Sequence, residues 1–273
     1  MAYEIIALDM DGTLLDSEKR VLPSSVAAIE RAAAAGKTVA ICSGRCPAMV
    51  TKYRDELPGV RYAICCAGSV IYDMEHERVV AETDLDPAFI AHALDVAEQE
   101  GPFLLEVTSG TGIFMQADEM ARAALCGVGA YASLYHETAT IVEDAHVFAR
   151  RTDVPQSKLN IHFEDVSARD RCRERLEGKD AVITNAEASS MEFSAPGVDK
   201  GTGLARLAEL LGVDEAATIA VGDAENDLAM LRSAGLGVAM GNAIPTAVEA
   251  ADVQVSDNDH DGVAEAIERY LLA

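Results

Sequence analysis

The run Glu4-Ile5-Ile6-Ala7-Leu8-Asp9-Met10-Asp11-Gly12-Thr13-Leu14-Leu15 decides how the rest of the chain is read. From Ile5 to Leu8 every residue is apolar, without alternation, and the run stops at an acid, as a strand covered on both faces does. Gly12 follows the second acid and permits a sharp turn. Three other runs end alike: Thr38-Val39-Ala40-Ile41-Cys42 at Ser43-Gly44-Arg45, Tyr62-Ala63-Ile64-Cys65-Cys66 at Ala67-Gly68, and Thr218-Ile219-Ala220-Val221 at Gly222-Asp223.

Helical patterns alternate with these strands. Ser24 to Ala35 stops at Gly36, Gly201 to Leu211 at Gly212, and Asn226 to Ala234 at Gly235. The alternation predicts an α/β fold with a doubly wound parallel sheet. Ligands of such sheets bind beyond the carboxyl ends of the strands, where Asp9, Ser43, Gly68 and Asp223 all fall. Residues more than 200 positions apart thus meet at one site. Between about Glu82 and Ser190 helical stretches (Pro87 to Glu100; Ala168 to Leu176) mix with β-like runs (Phe103 to Val107; Ile113 to Gln116; Leu159 to Phe163) and no strand ends so sharply. The expectation is a core of residues 1–82 and 190–273, with an inserted α+β domain at 83–189.

Composition narrows the partners. With 22 Lys+Arg against 46 Asp+Glu in 273 residues the formal charge is −24, the wrong sign for attraction to nucleic acid or anionic lipid. Apolar residues at 49% are enough for a packed core, which excludes collagen-like and disordered chains. The longest stretch free of Asp, Glu, Lys and Arg, Ser233 to Val248, is short and broken by Gly235, Gly237, Gly241 and Pro245, so no membrane span is expected. The first residues lack the basic flank and apolar run of a secretion signal, and the expected location is cytoplasmic. Six cysteines without CxxC or Cys/His zinc spacing read as reduced core thiols.

Asp9 and Asp11 at a strand end suit covalent phosphoryl transfer, one carboxylate attacking phosphorus while the other protonates the leaving oxygen. The same residues could also form an Asx-type turn with solvated acids. A carboxylate attacking an anionic phosphate needs a cation between the two charges, and hard oxygen ligands select Mg²⁺. Asp223, in Gly222-Asp223-Ala224-Glu225-Asn226-Asp227, supplies an acid at another strand end, although such a sequence also serves as a loop and helix cap. Ser43 and Gly44 stand where a helix start would hold phosphate oxygens, and a serine there caps equally well. Lys200, in Gly197-Val198-Asp199-Lys200-Gly201, could neutralise both phosphate and nucleophile, or be an ordinary solvated charge.

In this order the motifs resemble the haloacid dehalogenase (HAD) superfamily of phosphotransferases, and within it the Cof-type subgroup with a large α/β cap of class IIB. The matching segments are Asp9 to Thr13, Ser43-Gly44-Arg45, Lys200, and Gly222 to Asp227, with Ala234 to Ala243 and Asp261 to Ala264 also similar. The resemblance implies a Rossmann-like HAD core with an inserted cap that reads the substrate. It implies Asp9 as nucleophile, Asp11 as general acid and then base, and Mg²⁺ held by Asp9, the Asp11 main-chain carbonyl and Asp223. Asn226 and Asp227 would support the ion, Ser43, Gly44 and Lys200 would hold the phosphoryl group, Thr13 would orient the first loop, and Arg45 would pair with substrate or protein. Ala67 stands where the subgroup typically carries Asn, and Asp11 where the ATP-driven pumps of the superfamily carry Thr. The expected partner is a small phosphorylated metabolite such as a sugar phosphate. A mutase resembling phosphomannomutase, or a non-catalytic module that senses phosphate, are the other readings. Oligomeric state is not legible.

Overall fold

The computed structural model describes residues 2–185 and 187–273. The chain divides into two compact units: residues up to Arg45, Val50–Ala81 and Asp199–Ala273 form the first, and Cys46–Met49 with Glu82–Val198 the second.

Among the described residues the first unit carries an eight-stranded sheet. In chain order its strands are β1 (Ile5–Leu8), β2 (Thr38–Cys42), β3 (Val60–Cys65), β4 (Val70–Asp73), β5 (Arg78–Glu82), β12 (Thr218–Gly222), β13 (Leu236–Ala239) and β14 (Val253–Gln254), the gap being filled by the second unit's β6 to β11, given below. Across the sheet the order is β14-β13-β12-β1-β2-β3-β4-β5. Pairing from β14 to β3 is parallel and β3 meets β4 antiparallel. β1 and β12 are buried along their whole length, which is why their sequences run apolar without alternation. The helix Lys200–Leu211 packs Leu204, Leu207 and Ala208 into the same core as Ala7, Ala40, Ile64 and Ala220.

The order of strands fixes where the acids go. β1 lies between β12 and β2, with Leu8 opposite both Val221 and Ile41. Asp9, the Gly222-Asp223 pair and Ser43 therefore leave three neighbouring strands at the same end, as expected of a doubly wound sheet.

The second unit's sheet is built, in chain order, from β6 (Phe103–Ser109), β7 (Gly112–Gln116), β8 (Ala139–Val142), β9 (Lys158–Phe163), β10 (Val182–Thr184) and β11 (Ser190–Ser194). Spatially it runs β10-β11-β9-β6-β7-β8, antiparallel except between β7 and β8. One face buries Leu105, Val107, Leu159, Ile161, Phe163, Met191 and Phe193 in one cluster with residues of the helices Pro87–Glu100 and Val166–Leu176. The core resumes at Asp199, nine residues later than the expected 190 (199 − 190), because β11 pairs with β9 and β10 and so belongs to this sheet.

All six cysteines are free and buried. Among the described residues no helix is long and apolar enough to cross a membrane.

Candidate active site

β1 delivers Asp9 to the sheet end and the backbone then doubles back. Leu14 N donates to the Asp9 carbonyl at 3.1 Å and Leu15 N to that of Met10 at 2.9 Å. Gly12 turns the chain with φ +87°, and a Cβ there would lie 2.5 Å from Asp223 Oδ2, so only glycine lets the two loops approach. Thr13 Oγ1 donates to Asp223 Oδ1 at 3.1 Å, joining the loop after β1 to that after β12.

Lys200 is not a solvated charge. As the first residue of its helix, behind an Asp199 N-cap that forms a capping box with Thr202, it is 1% exposed. Its ammonium donates to Asp9 Oδ1 and to Asp227 Oδ1, both at 2.6 Å. Asp227 is wholly buried, and its Oδ2 accepts from the main-chain N–H of Asp223 (2.9 Å) and Ala224 (3.0 Å), which closes the loop that aims Asp223. The helix approaches closely because Gly68, at φ +112°, has no side chain: a Cβ would come within 2.1 Å of the Asp199 carbonyl oxygen. The two preceding residues are also left-handed, Cys66 at φ 54° and Ala67 at φ 55°.

Carboxylate oxygens of Asp9, Asp223 and Asp227 lie within 4.8 Å of one another. Burial, resisted by Lys200 but reinforced by Asp227, pushes the Asp9 carboxyl up to about 7. Burial and Asp227 push Asp223 up to about 6. Lys200 moves the other way: burial disfavours its charge, but Asp227 and Asp9 outweigh it and the ammonium is held protonated. One lysine thus serves three acids. The excess of buried negative charge, and a donor set made of oxygen, fit a hard divalent cation.

Asp11, expected to meet the ion through its main-chain carbonyl, turns its carboxylate to other partners. Its carboxylate is not among the converging oxygens: Arg45 grips it at both ends, Nε to Oδ2 at 3.0 Å and Nη2 to Oδ1 at 2.9 Å, and Lys19 Nζ adds a third bond to Oδ1 at 2.7 Å. Burial raises this carboxyl, but Arg45 and Lys19 more than reverse it, leaving it below the ordinary carboxylate range. Arg45 therefore pairs with the protein here, and Asp227 supplies the third converging side chain beside Asp9 and Asp223. Ser43 is buried, its Oγ accepting from Arg45 N at 3.2 Å. It is not a helix cap, since the helix that follows begins at Pro47 and lasts one turn. Gly44 is partly exposed beside it, and Asn226 is exposed on a 3₁₀ turn, Glu225–Asp227.

Two residues without an expected role brace the loop after β1. Asn242 Nδ2 donates to the Gly12 carbonyl at 2.8 Å, and Asn258 Nδ2 to that of Leu15 at 2.9 Å. Asn258 N in turn donates to Asn242 Oδ1 at 3.1 Å. The motif Gly241-Asn242-Ala243 was the available signal, but its partner is a backbone atom 230 positions away.

Residues 6–267 match the family model described as haloacid dehalogenase-like hydrolase. The chain belongs to this family. Its relatives include a Bacillus subtilis protein named 5-amino-6-(5-phospho-D-ribitylamino)uracil phosphatase YcsE, 30% identical over 98% of this chain and 96% of that one. Another is pyridoxal phosphate phosphatase YbhA of Escherichia coli, 28% identical over the full length of both chains. Among solved structures, the HAD subclass IIB sugar phosphatase BT4131 superposes with a TM-score of 0.82 over 99% of this chain and 100% of that one. At 21% identity that likeness concerns the fold, which is the HAD core with a Cof-type insertion.

Proposed function

We propose that this HAD-type phosphatase hydrolyses a small phosphomonoester through a phosphoenzyme formed on Asp9, with Mg²⁺ as cofactor. The observation that carries the reading is the buried Asp9–Lys200–Asp227 linkage at the end of β1, with Asp223 beside it. Lys200 holds one oxygen of Asp9, which orients the other for attack on phosphorus. As the Asp9–phosphorus bond forms, the bond from phosphorus to the ester oxygen breaks, and Asp11, which takes up a proton from solvent when the phosphate dianion beside it offsets Arg45 and Lys19, gives that proton to the oxygen. Asp11 then takes a proton from the water that attacks the aspartyl phosphate, releasing phosphate and restoring Asp9.

Asp9, Asp223 and the Asp11 carbonyl would hold Mg²⁺, with Asp227 fixing the Asp223 loop. When bound, the ion supplies positive charge that screens phosphate from nucleophile. Counting Asp9, Asp223 and Asp227 against Lys200, Arg45 and Lys19, with Asp11 protonated as the general acid, gives −3 + 3 = 0. A divalent ion would bring this to +2, a local field suited to a phosphate dianion despite the chain's overall charge, which salt screens beyond about 8 Å. Ser43 and the Gly44 backbone would complete the phosphate cradle.

The reading of the rest of the substrate falls to the second unit. On the face of its sheet away from the apolar cluster, Glu106, Asn160 and Glu192 stand in register across β6, β9 and β11, beside Thr108, Lys158, His162 and Ser190. Asn160 Oδ1 and both ring nitrogens of His162 are buried without hydrogen-bond partners. Groups of this kind support a polar, hydroxyl-bearing substrate such as a sugar phosphate.

The test is phosphate release from a panel of sugar phosphates, nucleotides and cofactor phosphates, with Mg²⁺, by the parent and by Asp9→Asn. Turnover of at least one ester by the parent, reduced at least about a thousandfold in the folded variant, is expected. Release from no ester, or equal release by Asp9→Asn, removes the reading.

A further inference from the structure

The loop after β1 turns on Gly12, the residue type whose backbone has the most freedom, and Gly12 directly follows Asp11. The close approach of Asp223 forbids any side chain there, so the loop cannot be stiffened from within. It is held from outside instead. Asn242 Nδ2 donates to the Gly12 carbonyl at 2.8 Å. The amide arrives already oriented, because its Oδ1 accepts from Asn258 N at 3.1 Å and leaves Nδ2 as the end that donates.

The turn that carries Asn242 also grips the loop after β12. Met240 N donates to the Gly222 carbonyl at 3.1 Å and Ile244 N to the Asp223 carbonyl at 2.9 Å, while Ala243 N closes the turn on Met240 O at 3.0 Å. The turn is in its turn seated on the segment that follows β14: Gly241 N donates to Ser256 O at 3.0 Å, and a Cβ on Gly241 would lie 2.7 Å from Asp257 N. Gln254 Nε2 adds a bond to Met240 O at 3.2 Å. One short turn therefore holds the carbonyls of Gly12, Gly222 and Asp223.

Other stitches between the two ends of the chain do not do this. Asp259 accepts from Ser17 N at 2.8 Å and from Ser17 Oγ at 2.7 Å, and Asp261 Oδ1 accepts from Ser24 Oγ. These are exposed hydrogen bonds, as is that of Asn242, and each contributes about 1 kcal/mol at most. By stability alone the three side chains are interchangeable. They differ in what they hold, since only Asn242 of the three reaches a loop that carries an acid of the site.

We propose that Asn242 is a positioning residue for the divalent cation: its amide fixes the Gly12 peptide while the backbone of the same turn fixes Asp223, so that the two loops keep one spacing. This rests on the reading of Asp9, Asp223 and the Asp11 carbonyl as the groups that hold the ion. Mg²⁺ demands near-ideal octahedral geometry, so freedom at Gly12 is felt first in metal affinity.

The experiment titrates the substrate-free chain with MgCl₂ by calorimetry, beside thermal melts without metal, for the parent, Asn242→Ala and Ser24→Ala. Neither substitution changes charge. Asn242→Ala is expected to bind Mg²⁺ about tenfold more weakly than the parent, and Ser24→Ala to stay within about twofold of it. Both metal-free variants should melt within about 4 °C of the parent. Equal Mg²⁺ affinity in parent and Asn242→Ala, or equal weakening in Asn242→Ala and Ser24→Ala, overturns the proposal. A parent that takes up no Mg²⁺ removes the cation reading and the proposal together. If the parent binds Mg²⁺ but releases phosphate from no ester, the proposed reaction fails alone, and the role of Asn242 is still decided by the affinities.

Discussion

At the ends of β1 and β12, Asp9, Asp223 and Asp227 gather around Lys200, each tied to named partners 2.6 to 3.1 Å away. In the middle of β6 and β9, Glu106, Asn160 and His162 are as thoroughly buried, yet Asn160 Oδ1 and both His162 nitrogens lack partners, and His162 Nε2 stops 3.7 Å short of Glu106 Oε2. Glu106 is raised by burial and brought back down, past its ordinary value, by His162, Lys158 and Tyr135, whose hydroxyl donates to it at 3.1 Å. The first assembly has its hydrogen bonds made and its charge unbalanced. The second has hydrogen bonds still to make. On the proposed reading, a fixed charge surplus would suit a cation and the same phosphate in every turnover, while buried polar groups without hydrogen-bond partners would suit the variable part of a substrate.

The sharpest way to break this contrast is Lys200→Met. Removing one partner from a buried ionic cluster leaves uncompensated charge, so the variant should lose about 3–5 kcal/mol of stability without metal and at least about a hundredfold in kcat. Denaturant melts with and without Mg²⁺ check it, and saturating Mg²⁺ should return part of the loss by binding only the folded state. A fully stable variant would mean that the acids around Lys200 do not repel one another.

A smaller effect concerns pH. Asp9 and Asp223 are raised to about 7 and about 6 from 3.8, so the folded, metal-free protein keeps protons that the unfolded chain has already released. Their contribution to stability is complete below about pH 4 and is lost as pH rises through 6 to 7. The metal-free parent should therefore lose more stability between pH 5 and pH 8 than Asp223→Asn, and the protection given by Mg²⁺ should grow across that interval. Identical pH slopes for parent and variant would sink the argument.

The smallest stability effect is expected in the second unit. His162→Leu replaces an unsatisfied buried ring by an apolar group of similar size, and should change stability by no more than about 1 kcal/mol. With the best ester of the panel, KM should rise about tenfold, since a polar contact to substrate is gone. A loss of stability beyond about 3 kcal/mol with unchanged KM would make His162 a structural residue and erase the difference between the two assemblies.

How much of this was legible beforehand depends on where the information lies. The helix Pro87–Glu100 and the strand Thr38–Cys42 fall at their expected bounds, because periodicity and end signals are local. The edge of the insertion was misplaced because Ser190–Ser194 declares its sheet only through pairing with β9 and β10. Lys200, an isolated lysine in the sequence, became a buried hub only once Gly68 allowed its helix to close on the turn after β3. Lys19 gave no signal at all, since its left-handed backbone and its reach to Asp11 arise from anchors as distant as Asp259.

The amino-acid order by itself determined the alternation of strands and helices, the excess of acid, and the placing of Asp9, Asp11 and Asp223 at strand ends. These follow from burial and turn chemistry that act over a few neighbouring residues. Only the tertiary structure decided which acids share Lys200, that Asp11 faces Arg45 and Lys19, and which polar groups of the second unit stay unpaired. Charge balance and hydrogen-bond satisfaction depend on distances between residues that the chain keeps far apart until it folds.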